Sequence, residues 1–557
     1  MKVLGLNIKW GKILGILGLS TSVFAVEVPK ELPPGHSDAG VMLNHTREFF
    51  EQQRINKEIE ERKIKNMEEI EKKAAEKLHG GAAGEISFKL QGVRFSPSQV
   101  LSKEELDKIS APYVSRKITV NDLYELVNKI NELYYEKGYI VCRAGLPPQT
   151  ISNGYVAIIL VEGKTGNIDI FGNKSTKENY IRKRIDLTAG EVSKITDLNN
   201  SLLWFNGTND IQMRVEMEAG DFPGTTDYNL NVYEPEKHQY SVFVDNAGSE
   251  TSGEYRGGAN YVNNSLFGYR DQLSITGMGS DGTVSGAVSY SIPITKKGTR
   301  LGLNYSASTV EIVDGPLKDV GDVEGESSSY GVTITHPLIV KSDKKLEISF
   351  DFAQQNSKTD FMGIPWVDDD ITRYTAGITY TKYGDSSVFY NRHNFSMGSW
   401  ESLTTNTKDF TKYDTVFMYQ KAFKNNKMLS LRLNGQYSFD DYLPSTDQFY
   451  VGGSYSVRGY TESFMGADSG VSLSAEFSLP FFKKKGDIFV FLDGGALYGE
   501  NAFDENMIYS TGIGYRVTVK GKAAISATLG VPLNKNFEDV GMEVDSSRVH
   551  IMASYSF

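Results

Sequence analysis

The sequence is poor in cysteine and proline, with one cysteine, Cys142, and 16 prolines in 557 residues. A lone cysteine cannot form an intramolecular disulfide, which excludes a disulfide-stapled scaffold. Acidic residues (70) outnumber basic ones (59), so no nucleic-acid partner is expected. Beyond the N-terminal leader, no apolar run reaches the roughly 20 residues that a spanning helix needs. Any residence in a membrane must therefore depend on strands.

Signals for catalysis and metal binding are also missing. No nucleophile elbow, phosphate-binding loop or isolated pair of catalytic acids is present. Gly277, Gly279 and Gly282 have the spacing of a dinucleotide-binding motif, but alternating runs flank them, which favours a hairpin turn. The histidines lack the spacing of metal ligands; they are His36, His45, His79, His238, His336, His393 and His550. We therefore expect no catalytic residue, no cofactor and no metal site, and an enzyme is not indicated.

Residues 1–25 have the organisation of a secretory signal peptide. Lysines precede an apolar core at residues 13–19, and small residues at 23–25 offer a cleavage site after Ala25. The alternative is a membrane anchor, but the apolar core is shorter than the roughly 20 residues of a spanning helix. The sequence therefore predicts an exported protein.

Residues 26–84 are predicted to hold a helix and a linker, and within them Leu43–Leu78 is dense in Glu, Lys and Arg with only a thin apolar series. The apolar residues mostly recur at spacings of three and four, which predicts a narrow helical stripe; they are Ile55, Ile59, Met67, Ile70, Ala74 and Leu78. A solvated helix followed by a linker accounts for this segment.

Two units of similar size follow, at residues 85–162 and 163–236. Each is predicted to have the order β-α-α-β-β. In the first unit the predicted elements are a strand at 86–95, helices at 102–109 and 119–137, and strands at 139–143 and 155–161. In the second unit they are a strand at 167–171, helices at 177–185 and 196–205, and strands at 211–218 and 226–234. Each unit has enough apolar residues on its helices to form a small α+β core.

Residues 237–557 show repeated alternation of apolar and polar residues, as at Leu301–Ser308 and Leu346–Ala353. A soluble β-sandwich would also alternate. Here the polar face is consistently Ser, Asn, Gly, Arg and Asp, and aromatic residues lie near segment ends, which favours a transmembrane antiparallel β-barrel with a wet interior. The region is long enough for about 16 strands, and a barrel of that size conducts freely unless something fills it.

The stretch Val451–Tyr460 (VGGSYSVRGY) is predicted to be a loop that folds into this barrel, within residues 440–470. On a later strand, aliphatic residues alternate with Phe489, Phe491 and Asp493. If the aliphatic set faces lipid, Asp493 faces the lumen, where its carboxylate needs a cation. Arg458 can supply a bidentate guanidinium. We therefore predict an ion pair between Arg458 and Asp493 that locks the loop to the wall.

These residues also carry a family resemblance. The order V-R-G-Y and then F-x-D-x-G resembles the signature of the outer-membrane insertase and translocase superfamily; the motif residues are Val457, Arg458, Gly459, Tyr460, Phe491, Asp493 and Gly495. The overall layout is similar to the transporter subunit of two-partner secretion systems of the haemolysin and filamentous-haemagglutinin type.

The resemblance implies a complete organisation. The two α+β units would be periplasmic POTRA domains, and Val41–Glu60 would be a helix that plugs the pore, with Glu61–Gly84 as its linker. The barrel would lie in outer-membrane lipid as a monomer, and Phe557 would end the C-terminal signal read by the barrel assembly machinery. The client would be an unfolded secreted exoprotein of the haemolysin or adhesin type, translocated to the cell surface.

Two alternatives remain open at this point. An insertase for other barrels belongs to the same superfamily, but such proteins usually carry more POTRA units and lack the charged N-terminal helix. A passive porin would leave the periplasmic residues ahead of the barrel unexplained. Adhesion would be only a minor role of the surface loops.

Overall fold

The computed structural model describes residues 38–64, 86–151, 153–403, 405–481, 486–519, 521–537 and 544–557. The predicted signal peptide and most of the predicted linker lie outside these residues. The described chain forms two units: one contains the N-terminal helix and residues from Glu236 to Phe557, and the other lies within Met67–Pro235. Among the described residues, no helix combines the length and the apolar character needed to cross a bilayer.

Helix α1 extends over Ala39–Ile64. Asp38 caps its start, because Asp38 Oδ1 accepts hydrogen bonds from the backbone N–H groups of Gly40 (2.7 Å) and Val41 (3.3 Å). The N-terminal helix is thus confirmed, but the predicted end at Glu60 is too early. The residues that follow, up to Ile64, include no proline or glycine, so nothing interrupts the helix there.

The first α+β unit consists of β1 (Ser87–Lys89), β2 (Gly92–Phe95), α2 (Lys103–Ser110), β3 (Lys117–Thr119), α3 (Val120–Glu136), β4 (Arg143–Gly145) and β5 (Tyr155–Val161). The predicted single strand at 86–95 is wrong. It is divided because β1 pairs antiparallel with β3, whereas β2 pairs parallel with β5. Between β1 and β2, the N–H of Leu90 donates to the carbonyl of Arg116, and the N–H of Gln91 donates to the carbonyl of Gly154.

Capping residues and an apolar stripe explain the helices of this unit. Ser102 and Thr119 begin α2 and α3 with capping boxes. Gly138, with φ of +88°, follows the end of α3, where a left-handed residue terminates a helix. The buried core includes the predicted helical stripe, namely Leu123, Leu126, Ile130 and Tyr134.

The second α+β unit consists of β6 (Lys164–Phe171), α4 (Glu178–Arg182), α5 (Ile195–Thr208), β7 (Gln212–Ala219) and β8 (Thr225–Tyr233). Its sheet has the order β6-β8-β7, with β6 parallel and β7 antiparallel to β8. The predicted β-α-α-β-β order is confirmed here. Its separate core is centred on Ile181, Leu198, Phe205 and Leu230.

The remaining chain forms a closed antiparallel barrel of 16 strands, as predicted. In chain order the elements are β9 (His238–Asp245), β10 (Arg256–Asn263), β11 (Gln272–Gly279), β12 (Thr283–Pro293), β13 (Arg300–Glu311), α6 (Pro316–Val320), β14 (Val323–Val340), β15 (Lys344–Phe361), β16 (Ile364–Gly384), β17 (Ser387–Ser402), β18 (Thr405–Ala422), β19 (Met428–Ser438), β20 (Phe449–Val451), β21 (Met465–Ala467), β22 (Ser469–Phe481), β23 (Gly486–Tyr498), β24 (Met507–Val519), β25 (Ala523–Pro532) and β26 (Arg548–Ser556). Strands β20 and β21 pair only with each other, outside the barrel sheet. Pairing of β26 with β9 closes the barrel.

Side-chain alternation separates the two faces of the wall. On β23, Val490 and Leu492 are 52% and 57% exposed, whereas Phe489, Phe491 and Asp493 are at most 4% exposed. The predicted division into a lipid-facing aliphatic set and a lumen-facing set is therefore correct on this strand.

Two further sequence features have defined places in the barrel. Gly277 and Gly279 lie in β11, and Gly282 lies in the short turn before β12, so the glycine motif is a hairpin, as predicted. Phe557 follows β26 at the barrel seam, where its N–H donates to the carbonyl of Tyr240.

Candidate functional site in the barrel lumen

The segment 439–468, between β19 and β22, folds into the lumen and is called the inward loop. It has its own apolar core, in which Val457, Tyr460, Phe464 and Met465 are at most 2% exposed. This core packs against lumen-facing side chains of the wall, including Leu497. The loop is therefore a packed element and shares its core with the barrel.

Arg458 of the inward loop meets Asp493 of β23. Arg458 Nε lies 2.7 Å from Asp493 Oδ2, and Nη2 lies 2.9 Å from Oδ1, which is a bidentate arrangement. The backbone N–H of Arg458 also donates to Oδ2, at 3.1 Å. Because the Asp493 side chain is 0% exposed, its carboxylate depends on these partners in place of water.

A second carboxylate extends this ion pair. Arg458 Nη1 lies 3.1 Å from Glu476 Oε2, and Arg516 Nη1 lies 2.7 Å from Glu476 Oε1. Ser474 Oγ accepts from Arg458 Nη2 at 3.1 Å and donates to Asp493 Oδ1 at 2.7 Å. The result is an alternating chain of charges across β22, β23 and β24. Asp487 Oδ2, 4.0 Å from Arg516 Nε, extends this chain of charges further.

Sequence reasoning missed Ser474, Glu476 and Arg516. A signal for the first two was present, since polar residues alternate with apolar ones along β22; the polar set is Ser472, Ser474 and Glu476. Alternation assigns these residues to the lumen face. It does not say which of them lies beside Arg458, because that depends on the register of β22 against β23.

The other predicted motif residues are gathered around this ion pair. Gly459 has φ of +106° and lies so close to β25 that a Cβ added at Gly530 would be 2.5 Å from the Gly459 nitrogen. A Cβ added at Gly495 would be 3.1 Å from Val457. The Tyr460 hydroxyl donates to the carbonyl of Asn534, at 2.8 Å. The motif therefore combines one charge anchor with close backbone contacts.

Helix α1 also lies in the lumen. Its first turns join an apolar cluster at one end of the barrel, with Val310, Ile312, Leu317 and Val323 around Ala39 and Met42. Further along, Ile55 packs against Val388, Tyr390 and Met418. Val310 is near the end of β13 and Val388 near the start of β17, two strands that run in the same direction. The helix therefore extends from one end of the pore towards the other.

Polar contacts complete the placement of the helix. Glu51 forms an ion pair with Arg392 of β17. Asn44 Nδ2 donates to the carbonyl of Thr446 in the inward loop, at 2.7 Å. Helix and loop thus fill the lumen together and contact each other.

A cavity of about 390 Å³ remains between the helix, the inward loop and the wall. Its lining is largely polar and includes Gln52, Asn56, Arg432, Ser454 and Thr528. Such a lining fits a water-filled interior. Within the described ranges, no group of three or more His, Cys, Asp or Glu side chains is placed to hold a metal ion.

Together, the barrel, the inward loop and the preceding α+β units define an outer-membrane translocase of the POTRA–barrel class. Residues 224–517 match the family described as haemolysin secretion/activation protein ShlB/FhaC/HecB, and residues 88–163 match the ShlB-type POTRA domain. The chain belongs to the haemolysin secretion/activation protein family. It is therefore an outer-membrane transporter of the two-partner secretion type, with its POTRA domains in the periplasm.

Individual relatives agree with this assignment. The heme/hemopexin transporter protein HuxB of Haemophilus influenzae is 25% identical over 527 residues, which cover 87% of this chain and 92% of HuxB. The outer membrane transporter CdiB of Dickeya dadantii is 24% identical over 514 residues, which cover 87% of this chain and 89% of CdiB.

Solved structures show the same fold. CdiB from Escherichia coli superposes with a TM-score of 0.68 at 19% identity, over 92% of this chain and 98% of CdiB. CdiB from Acinetobacter baumannii gives a TM-score of 0.64 at 17% identity, over 93% of this chain and 99% of CdiB.

Proposed function

We propose that this transporter captures one unfolded exoprotein of the haemolysin or adhesin type at its POTRA domains and passes it through the lumen. The observation that carries this proposal is the filled lumen, in which a helix and an anchored loop occupy a barrel of 16 strands. A passive porin needs neither element, and a barrel of this size conducts freely when empty. A helix and a loop that can leave the lumen suit a pore that opens for a client.

The open edge of β7 in the second POTRA domain is the proposed docking site for the client. The carboxamide of Asn206 bonds the Met213 backbone, accepting from its N–H at 2.8 Å and donating to its carbonyl at 3.0 Å. Outward-facing backbone groups recur at every second residue of a strand. The next outward-facing N–H and C=O groups along β7 belong to Val215 and Met217. No other described residue forms a hydrogen bond with these groups. An extended peptide can pair with this edge and add a strand to the sheet.

The other edge of this sheet is partly covered. The N–H of Thr165 on β6 donates to the carbonyl of Glu191, and the N–H of Gly190 donates to the carbonyl of Thr165. Arg182 donates to the carbonyl of Ile168. These contacts leave β7 as the more accessible edge.

In the resting pore, helix α1 is the proposed plug, and the Arg458–Asp493 pair is the proposed lock of the inward loop. We propose no bond-making chemistry for either element. Folding of the client outside the cell supplies the direction of transport, because a folded client cannot pass back. The protein acts as a monomer in outer-membrane lipid, and the segment ending at Phe557 is read by the barrel assembly machinery.

Deletion of the gene tests the proposal. We expect one large exoprotein to disappear from the culture medium and the cell surface, and to return when the gene is restored. Restoration with a copy that lacks residues 86–234 should give an assembled barrel without secretion. An unchanged set of secreted and surface proteins in the deletion strain would contradict the proposal.

A further inference from the structure

The inward loop has a second attachment to the wall, at the turn Ser445–Asp447. Asp447 is fully buried, and its Oδ1 atom lies 3.0 Å from Arg373 Nη1 and 2.9 Å from Lys412 Nζ. Its main-chain carbonyl accepts hydrogen bonds from Lys412 Nζ (2.9 Å) and Gln436 Nε2 (2.7 Å). Because these three partners belong to β16, β18 and β19, one residue ties the turn to three strands.

The other side of the same turn supports the plug helix. Asn44 Nδ2 donates to the carbonyl of Thr446, and Ser445 Oγ donates to Asp38 Oδ2. Gly40 approaches so closely that a Cβ added there would be 2.4 Å from Thr446 Cγ2. The first turn of the helix therefore rests directly on residues 445 and 446. Asp447 fastens the same turn to the wall.

The Arg458 anchor differs from this one. Its hydrogen-bond and ion-pair partners are Asp493, Glu476 and Ser474, all on β22 and β23. In the part of the chain that the structure describes, none of its hydrogen bonds or ion pairs reaches helix α1. Asp447 and Arg458 are thus two of the loop's attachments to the wall, and of these two only Asp447 adjoins residues 445 and 446, which contact the first turns of the helix. The loop contacts the helix again at His45, which hydrogen-bonds Ser463 and packs edge-on against Tyr450.

We propose that Asp447 is the positioning residue of the plug: its ion pairs fix the turn, and the turn fixes the resting place of helix α1. This inference rests on the proposed role of the helix as a plug. Replacing Asp447 by Asn keeps the shape of the side chain but removes the carboxylate that Arg373 and Lys412 share. The turn then loosens, and the helix leaves the pore more often.

Labelling of a cysteine on the helix measures this directly. Thr46 is 6% exposed and its hydroxyl donates to the carbonyl of Met42 in its own helix, so Thr46→Cys is a mild change. The native Cys142 is buried, which raises the pKa of its thiol to about 11 and keeps it unreactive. In the Thr46→Cys protein, Asp447→Asn should raise the rate of labelling by a membrane-impermeant maleimide roughly tenfold, the effect of about 1.4 kcal/mol.

Two controls separate this role from general damage. Asp447→Glu keeps the charge and should label close to the wild-type rate. Asp468→Asn removes another buried loop carboxylate, which accepts from the Leu443 N–H at 3.0 Å, and should not speed labelling. Retention of the heat-resistant barrel in gel electrophoresis confirms assembly of each variant.

Two results would overturn the inference. One is a wild-type labelling rate in an assembled Asp447→Asn barrel; the other is equal acceleration by Asp468→Asn.

Conductance tests the plug itself: Asp447→Asn should increase channel openings in the full chain and add nothing once residues 39–64 are deleted. If that deletion leaves conductance unchanged, the plug proposal fails, whereas the labelling result still reports on Asp447.

Discussion

The guanidinium carbon of Arg458 lies 3.6 Å from the centroid of the Phe491 ring. The same guanidinium binds the carboxylate of Asp493, two residues further along β23. Both side chains project into the lumen because they are two positions apart on a strand. Phe491 therefore provides a flat face for the cation, and Asp493 provides its counter-charge.

The first prediction concerns the coupling of Arg458 and Asp493. Arg458→Ala leaves the buried Asp493 carboxylate without its bidentate partner, a cost of about 3–5 kcal/mol if the site is dry. Secretion should fall sharply while the barrel still assembles. Asp493→Ala should have a similar effect, and the double variant should be no worse than either single one, because coupled residues are not additive. Strictly additive losses in a double-mutant cycle on secretion would show that the two residues act independently.

The second prediction uses glycines that face opposite sides of the wall. A Cβ at Gly530 would be 2.5 Å from the Gly459 nitrogen and 2.8 Å from the Arg458 carbonyl carbon, and backbone atoms cannot yield as side chains do. Gly530→Ala should therefore displace the loop and reduce secretion. The matched control is Gly494→Ala, whose Cβ would be no closer than 3.4 Å to any neighbour. Similar secretion by both variants, at equal barrel levels, would argue against the close contact.

The third prediction concerns the plug. Deletion of residues 39–64 should raise single-channel conductance in planar bilayers, because the helix occupies the lumen of a barrel that otherwise conducts. Secretion need not be lost, since the plug must leave before any client passes. Unchanged conductance would reduce the segment to a linker.

The fourth prediction concerns the POTRA fragment, residues 84–234. It should fold without the barrel, because each α+β unit has its own buried core. It should bind an unfolded N-terminal segment of the client with modest affinity, since ordering that segment costs about 2–5 kcal/mol. No binding at high micromolar concentration by a folded fragment would refute this.

Two variants of the fragment test the β7 edge. Val215→Pro removes an outward N–H and should weaken binding, because proline is tolerated on an edge strand but cannot donate to an added one. Val215→Ala trims the side chain and keeps the donor, so it is the matched control. Equal affinities of the two variants would place the binding site elsewhere.

The fifth prediction concerns pH. Burial opposes ionisation of Glu162, but the hydrogen bonds that it accepts outweigh burial and lower its pKa below 4.5. They include bonds from the Ser98 hydroxyl, the Gln99 N–H (2.7 Å) and the Tyr134 hydroxyl (2.9 Å). A lowered folded-state pKa means that the ionised group stabilises the fold above the unfolded pKa, and that this contribution disappears as pH falls through the folded pKa.

The matching experiment is urea unfolding of the wild-type fragment and its Glu162→Gln variant. At pH 7 the variant should lose about 1–3 kcal/mol, because charged hydrogen bonds are replaced by weaker ones. The difference between the two proteins should shrink as pH falls below 4.5. A difference that is constant with pH would show that Glu162 acts only through packing.

Elements that depend on local patterns could be predicted from the sequence. Alternation placed Asp493 in the lumen, because the side-chain period of a strand is fixed. The helices of the first POTRA domain were predicted from sequence, and strand Tyr155–Val161 has the predicted bounds. Arg458 and Asp493 could be paired from sequence because the V-R-G-Y and F-x-D-x-G motifs resemble a known signature and because a lumen carboxylate needs a cation.

Contacts between distant segments could not be predicted, because they depend on strand register and on how the barrel closes. Glu476 reaches Arg458 only because β22 pairs with β23 in one register, and Gly530 meets Gly459 only because the loop crosses the lumen to β25. The division of residues 86–95 into two strands depends on two different partners, β3 and β5. The sequence around Asp447 does not predict its contacts, because its partners come from three strands of a closed barrel. Local sequence sets which face a side chain takes, whereas barrel closure and strand register set what it meets there.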